Sequence, residues 1–380
     1  MIKKLKVLTV VGTRPEIIRL AATIKRLDKY MDHVLVHTGQ NYDYELNEVF
    51  FENLGLRRPD HFLEADTSSL GSILGTILTK MESVLAEEKP DAMLVLGDTN
   101  SCISALMARR MKIPVYHMEA GNRCFDENVP EEVNRRLVDH VADYNLVYTE
   151  HARRNLLAEG IHPSRIMLSG SPMREVLDAN ATQIAASDVL ERQNLSHGGY
   201  FLVSLHREEN VDSVPRLTSV LDALNQLAKA YDLPVLVSTH PRTRKRLDEL
   251  PEEPRGSLTF HPPFGFHDYV ALQQGAKLVL SDSGTISEES SILGFPAVTL
   301  RDFIERPESM DTGGIITVGI SADSITDGVR IALEEFGSAG SATLPAEYQV
   351  SDTSRRVVSF IRSTAHSHGQ RTGIRRPEAN

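Results

Sequence analysis

The stretch KLVLSDSGTISEESSILG, residues 277–294, decides how the rest of the chain is read. An apolar run from Lys277 to Leu280 breaks into Ser281, Asp282, Ser283, Gly284 and Thr285. A helical pattern then starts, with Ile286, Ser290 and Leu293 on one side. A short apolar run of this kind reads as a buried parallel strand. The Ser/Gly turn leaves unpaired backbone N–H groups at the start of the helix, where the helix dipole is positive. Strand, turn and helix start together make a phosphate site. Glu288 or Glu289, within the first turn, can accept from the vicinal hydroxyls of a ribose, as acidic residues do in dinucleotide sites. The stretch therefore reads as a nucleotide-sugar site; the plainer alternative is a capped helix with solvated acids.

With 380 residues the chain exceeds one ordinary domain, and two domains of roughly 170–190 residues are expected. Hydrophobic content of 41% and charged content of 24% belong to a globular protein. A net charge of −11 argues against binding to nucleic acid or an anionic membrane. An anionic ligand must then be held by a few local cations and helix ends. Cys102 and Cys124 cannot build a disulfide framework, which suits reduced thiols in a cytoplasmic protein. MIKKLKVLTV runs straight into a strand, and no stretch is apolar for long enough to be a signal peptide or a membrane span.

Strands are expected at Val7–Val11, His33–Thr38, Ala92–Leu96, Pro114–Met118, Tyr144–Tyr148 and Arg165–Leu168. Helices are expected after Pro15 and over Leu70–Glu88, Ser101–Met111, Pro130–Ala142 and His151–Gly160. Gly170-Ser171-Pro172 reads as a hinge, and the alternation then restarts. Its strands are Tyr200–Leu205, Pro234–Ser238, Ser257–His261, the 277–280 run and Ala297–Leu300. Its helices are about Pro215–Ala230, His267–Gln274, the one after Thr285, and Ser324–Phe336. The fold class is α/β, two doubly wound parallel-sheet domains, with ligands at the carboxyl ends of the strands. The expected division is 1–171, 172–352 and a helix within 353–363 that folds back on the first half. The polar, patternless residues 364–380 are expected to be disordered. Two such domains facing each other would put both sets of strand ends into one cleft.

Polar residues do crowd the strand ends. Arg14, Asp98 and Glu119 follow strands of the first half, and HMEAGNRCFDENVPEEVNRR adds Arg123, Asp126, Glu131, Glu132 and Arg135. Neighbouring carboxylates raise one another's pKa, so one can hold a proton while another acts as base, as proton transfer at carbon requires. Asp98 as a helix cap, and Glu131 and Glu132 as first-turn acids, is the structural alternative; it leaves Glu119 unexplained. In the second half His206 and Arg207 end a strand, as do His240, Arg242 and Arg244. Cations there suit a diphosphate. Phe264, Phe266 and Tyr269 join a strand to a helix; their rings can stack on a base or fill an interdomain core. Arg306 sits at another strand loop. There is no Walker sequence, no GxGxxG after the first strand and no tightly spaced metal-ligand cluster, so neither a nicotinamide cofactor nor a metal is indicated.

Seven motifs now stand in one order: GTRPE (12–16), LGDTN (96–100), HMEAGNR (117–123), PEEVNRR (130–136), LHREEN (205–210), SDSGTISEES (281–290) and ERPE (305–308). Together they resemble the non-hydrolysing UDP-N-acetylglucosamine 2-epimerases, over about residues 5 to 362. The resemblance implies a two-domain GT-B fold with two Rossmann-like domains, the active site in the cleft between them, a homodimer and no cofactor. It also implies anti elimination of UDP to a 2-acetamidoglucal, followed by re-protonation at C2 from the other face and recombination. On matching positions Asp98, Glu119 and Glu131 would be the catalytic carboxylates, with His206 supporting the diphosphate and the acid–base work. Arg14 would hold phosphate. Ser283, Gly284 and Thr285 would supply helix-start donors, Glu289 would take the ribose hydroxyls and Tyr269 would stack on uracil. His240 and Phe264 complete the expected UDP-sugar contacts, and Arg306 would reach the diphosphate or the sugar.

Arg19, also expected among the UDP-sugar contacts, stands where many members carry Lys and keeps the charge, and Gln40-Asn41-Tyr42 stands where simple epimerases have a Gln-His-Arg loop linked to activation by a second UDP-sugar. HMEAGNRCFD and TISEESS, with HTGQNYDYELNEVFF, resemble the capsule and O-antigen branch that makes UDP-N-acetyl-L-fucosamine from UDP-2-acetamido-2,6-dideoxy-L-talose. Interconversion of UDP-GlcNAc and UDP-ManNAc is the alternative, followed by a glycosyltransferase of the same fold, a hydrolysing epimerase and a non-catalytic nucleotide-sugar sensor.

Overall fold

A computed structural model describes residues 4–39, 50–126, 129–250, 256, 258–303, 305–339 and 343–374. The Gln40-Asn41-Tyr42 loop lies outside them. The chain divides into two compact units, residues 1–178 with 350–380, and residues 179–349.

The first unit is built on seven strands: β1 (Lys6–Val11), β2 (Asp32–His37), β3 (His61–Phe62), β4 (Ala92–Leu96), β5 (Val115–Met118), β6 (Tyr144–Val147) and β7 (Ile166–Leu168). They pair in the order β3-β2-β1-β4-β5-β6-β7, all parallel. Helices cover both faces, so the central strands read as unbroken apolar runs, and all five residues of β4 are buried. Leu8, Val10, Met93, Val95 and Val115 pack with Met81 and Leu85 of the helix Leu70–Glu88.

The second unit repeats the plan with β8 (Phe201–Leu205), β9 (Val235–Thr239), β10 (Thr259–His261), β11 (Leu278–Ser281), β12 (Ala297–Thr299) and β13 (Ile316–Thr317). The order is β10-β9-β8-β11-β12-β13, again parallel. Counted from its own first strand, each sheet contains the 3-2-1-4-5-6 order of the Rossmann fold. The chain is thus α/β, with the pair of Rossmann-like domains that GT-B proteins carry. In each sheet the order reverses at one seam, β1 against β4 and β8 against β11, and the crevice above such a seam takes the ligand.

Several elements escaped the periodicity. The helix Pro241–Glu249 fills the stretch that separates β9 from β10, where the sequence suggested two strands in succession; a parallel pair needs such a crossover. The helix Met173–Ala185 follows the expected hinge and crosses the division between units. Gly170 and Ser171 pack within the first unit: Thr353 Oγ1 donates to the Ser171 carbonyl at 3.0 Å. The helix Thr353–Thr364 lies on that unit too, where Arg26 Nε donates to Ser354 Oγ at 2.8 Å. The expectation of disorder from residue 364 is corrected. A helical turn, His368–Arg371, follows, and buried His368 lies 3.4 Å from Asp143. Polar residues that bury against polar partners leave no apolar period to read. Residues 375–380 lie outside the described part.

Candidate active site

At the β1/β4 seam the two loops are joined by a residue that the motif search did not single out. The first helix, Arg14–Tyr30, opens with a capping box, Thr13 and Glu16. Buried Glu16 turns its carboxylate back on the loop: Oε2 accepts from the backbone N–H groups of Gly12 and Thr13 at 2.7 Å each. Oε1 accepts from Thr99 Oγ1 at 3.0 Å and from the Ser101 hydroxyl. Glu16 therefore holds the GTRPE loop and the LGDTN loop at fixed separation. Burial raises its carboxyl pKa, and these four donors act against the rise.

The carboxylates named from sequence are distributed along the same strand ends. Asp98 pairs with Arg135 of the helix Pro130–Val141, and the Asp98 carbonyl accepts from Asn134 Nδ2 at 2.9 Å. Glu119 is buried and pairs with buried Arg19. Its φ is +63°, a left-handed conformation costing a non-glycine residue on the order of 1 kcal/mol or more. A Cβ placed on Gly97 would stand 3.9 Å from Glu119 Oε2, so this carboxylate overhangs the loop that carries Asp98. Glu131, half-buried, occupies the first turn of its helix. Arg14 begins its own helix, with its guanidinium 5.4 Å from the Phe50 ring centre.

Beneath them lies a second carboxylate hub. His117 Nε2 donates to the Gly97 carbonyl at 2.7 Å, while Nδ1 faces Asp139 Oδ1 at 2.9 Å. Asp139, fully buried, also takes Arg123 at 2.8 Å and the Gly121 N–H at 3.1 Å. Burial alone would push this carboxyl up, but His117 and Arg123 hold it below the usual range. The helix Pro130–Val141 thus buries Glu132, Arg135 and Asp139 beside Val138 and exposes Val133 and Leu137, so charged side chains share its inner face.

In the second unit the β8/β11 seam carries the imidazole. His206 Nδ1 lies 3.0 Å from Oδ1 of fully buried Asp282. Asp282 also accepts from the N–H groups of His206 and Arg207 and from Asn210 Nδ2, at 3.0–3.2 Å. Burial opposes ionisation of this carboxyl too, yet His206 and these donors hold it below the carboxylate range. Ser283, Gly284 and Thr285 follow directly, with Ser283 Oγ 2.9 Å from Thr285 Oγ1, ahead of the helix Ile286–Leu293. Glu289 accepts from Gln273 Nε2 at 2.5 Å. Tyr269 bonds to Ser204, and its phenol pKa is raised by burial and by the charge of Glu289. Glu289, Tyr269 and the 283–285 turn thus belong to one cluster.

Residues 25–362 match the family described as UDP-N-acetylglucosamine 2-epimerase. The chain belongs to the UDP-N-acetylglucosamine 2-epimerase family. It is similar to a UDP-N-acetylglucosamine 2-epimerase structure from Rickettsia bellii, with 45% identity and a TM-score of 0.92 over 98% of this chain and 100% of the other. A Methanocaldococcus jannaschii UDP-GlcNAc 2-epimerase in complex with UDP-GlcNAc and UDP is 36% identical, with a TM-score of 0.88 over 94% and 100% of the two chains. The UDP-2,3-diacetamido-2,3-dideoxy-D-glucuronate 2-epimerase of Pseudomonas aeruginosa is 35% identical over 334 residues, 87% of this chain and 92% of the relative. The chain is an isomerase of this epimerase family.

Three residues expected to contact substrate in such an epimerase have other partners here. Arg306 is 2% exposed; its Nε donates to the Gly284 carbonyl at 2.7 Å, and Nη1 lies 3.3 Å from buried Glu288. In this arrangement it braces the 283–285 turn. His240 is exposed and caps its helix, its Nδ1 accepting from the Arg242 N–H at 3.3 Å. Phe264 is buried and stacks on His261 with ring centres 4.0 Å apart. Glu16, His117, Asp139 and Asp282 are the residues that sequence reasoning passed over. Only Glu16 carried a legible sign, the Thr-x-x-Glu capping box. Among the described residues no group of three His, Cys, Asp or Glu side chains could hold a metal ion, and no helix is long and apolar enough to cross a membrane.

Proposed function

We propose that this protein inverts C2 of a UDP-activated 2-acetamido sugar without hydrolysing it. A carboxylate of the Asp98, Glu119 and Glu131 set takes the C2 proton while the C1–O bond to UDP breaks, leaving a 2-acetamidoglucal and UDP. A second group then protonates C2 from the opposite face as the UDP oxygen re-forms the bond at C1. Atoms and electrons balance without a redox partner. The observation that supports this most is the overhang of Glu119 on the Asp98 loop within a member of this family: two carboxylates, each paired with an arginine, at adjacent strand ends. The cluster of Ser283, Gly284, Thr285, Tyr269 and Glu289 is assigned to UDP, as helix-start donors and a ribose-binding acid.

The preferred sugar is UDP-2-acetamido-2,6-dideoxy-L-talose, giving UDP-N-acetyl-L-fucosamine for surface polysaccharide, on the strength of HMEAGNRCFD and TISEESS. UDP-GlcNAc is the second reading, favoured by the relative crystallised with it. A homodimer is part of the proposal: Val133 and Leu137, 65% and 44% exposed, offer an apolar helix face. So is a cytoplasmic setting, in keeping with Cys102 and Cys124, both buried free thiols.

The test is incubation with each UDP-sugar alone in deuterated water, followed by proton NMR. Deuterium at C2 with the epimer still joined to UDP is expected, faster for the 6-deoxy-L-talose derivative. Free sugar would indicate hydrolysis. No exchange from either sugar would refute the proposal and favour a transferase that needs an acceptor.

A further inference from the structure

The helices Arg14–Tyr30 and Thr353–Thr364 pack on each other in the first unit, tied by the Arg26–Ser354 hydrogen bond of 2.8 Å. A groove of about 630 Å³ opens between them. Lys4, Arg26, Arg355 and Arg362 line it, with the Ser359 hydroxyl and the half-exposed Tyr30 ring. Arg355, Ser359 and Arg362 recur at i, i+4 and i+7 and so share one helix face. Lys4 precedes β1 and Met31, also in the lining, precedes β2. The groove therefore sits at the amino-terminal edge of the sheet, opposite the carboxyl ends that carry Arg14, Asp98 and Glu119.

The charge there is out of keeping with the molecule. The chain carries −11 overall, and several surface arginines of the second unit are matched to acids: Arg192 to Asp188 and Asp268, Arg246 to Asp212 and Glu249, Arg330 to Asp327 and Glu334. Among the described residues no carboxylate lies within 4.0 Å of the Lys4, Arg26, Arg355 or Arg362 charges. Glu175 accepts instead from the Ser354 N–H and hydroxyl, at 2.7 and 2.5 Å. Four like charges around one cavity repel, and a bound anion relieves that repulsion. Guanidinium forks with hydroxyl donors match phosphate oxygens. The volume falls in the range of roughly 300–1,000 Å³ typical of small-molecule sites, more than a single phosphate fills.

We propose that this groove is a second binding site, for a ligand bearing a diphosphate or several phosphates, distinct from the nucleotide-sugar loops. The same chemistry is offered by a soluble diphosphate and by an anionic lipid headgroup. The probe is inorganic pyrophosphate, titrated calorimetrically into the full-length protein with and without saturating UDP, beside the double variant Arg355→Ala/Arg362→Ala. Both arginines are exposed, so the variant should keep its melting temperature and its basal epimerase rate. Wild type should bind pyrophosphate when saturated with UDP, more weakly as salt rises, and the double variant should lose at least about tenfold in affinity. Flotation with phosphatidylglycerol vesicles against neutral phosphatidylcholine vesicles separates the sources: capture that the double variant loses assigns the groove to a headgroup. If UDP-saturated wild type binds neither probe, or the double variant binds both as wild type does, the groove is not an anion site.

Discussion

The imidazole of His206 and the carboxylate of Asp282 lie 3.0 Å apart although 76 positions separate them in the chain. β8 and β11 are neighbours at the seam of their sheet, so the residue after each strand meets the residue after the other. Fixing Nδ1 on a buried carboxylate fixes the ring and leaves Nε2 as the nitrogen available to a ligand. Asp282→Asn should lower kcat by about 10²-fold, as for a displaced acid–base group, with a smaller change in KM.

The same substitution has a pH signature. The folded-state pKa of Asp282 lies below the ordinary value, so its contribution is present above the unfolded pKa of about 3.9 and is lost as pH falls through the folded value. Thermal melts at pH 7 should show Asp282→Asn less stable than wild type by about 2–3 kcal/mol. The gap should close below about pH 4. A gap independent of pH would mean that the charge of Asp282 does not stabilise the fold.

Two classes of variant should separate by kinetics. Asp98→Asn and Glu119→Gln should lower kcat by about 10²–10⁴-fold and leave UDP affinity nearly unchanged. Glu289→Ala should weaken UDP binding by about tenfold or more, the loss of a charged hydrogen bond. Calorimetry with UDP and steady-state rates on the UDP-sugar distinguish the two. Normal turnover in the first pair would overturn the role assigned to the carboxylates.

Gly121 should resist any side chain. Its φ is +79°, and an added Cβ would fall 2.4 Å from the Ala152 carbonyl oxygen. Gly121→Ala should cost at least about 2–3 kcal/mol through strain and overpacking. Gly160 has φ +85° with nothing within 4 Å of an added Cβ, so Gly160→Ala should cost only about 1–2 kcal/mol. Urea denaturation of the two variants measures the difference.

Glu16 is expected to act as a tie between loops. Glu16→Gln can keep an oxygen towards Gly12 and Thr13 and give its amide to the rotatable hydroxyls of Thr99 and Ser101. Glu16→Ala leaves the buried Gly12 N–H and the half-buried Thr13 N–H without their acceptor. The alanine variant should lose about 2–3 kcal/mol more stability than the glutamine variant, and its rate should fall further. Equal losses would show that the carboxylate does not bridge the loops.

Much of this molecule was open to a linear reading. The run Leu278–Ser281 and the helix Ile286–Leu293 stand where the apolar pattern put them, as do Ala92–Leu96 and Leu70–Glu88. The helices Pro241–Glu249 and Met173–Ala185 were missed because the first is mostly charged and the second follows a Gly-Ser-Pro signal. The fully buried Asp139 was invisible because an acid on a helix ordinarily faces water.

The sequence by itself determined the alternation of strands and helices and the loops that carry Asp98, Glu119, His206 and Ser283. Those properties are local: apolar spacing and turn chemistry act over a few residues. Only the tertiary structure decided which loops share a seam and which charges meet. Glu16 with Ser101, Arg19 with Glu119, Asp98 with Arg135 and His206 with Asp282 are brought together by strand order. It also decided that Arg306 braces the 283–285 turn from the interior. A partner 37 to 100 positions away leaves no periodic trace in the chain; the sheet that folds between them supplies it.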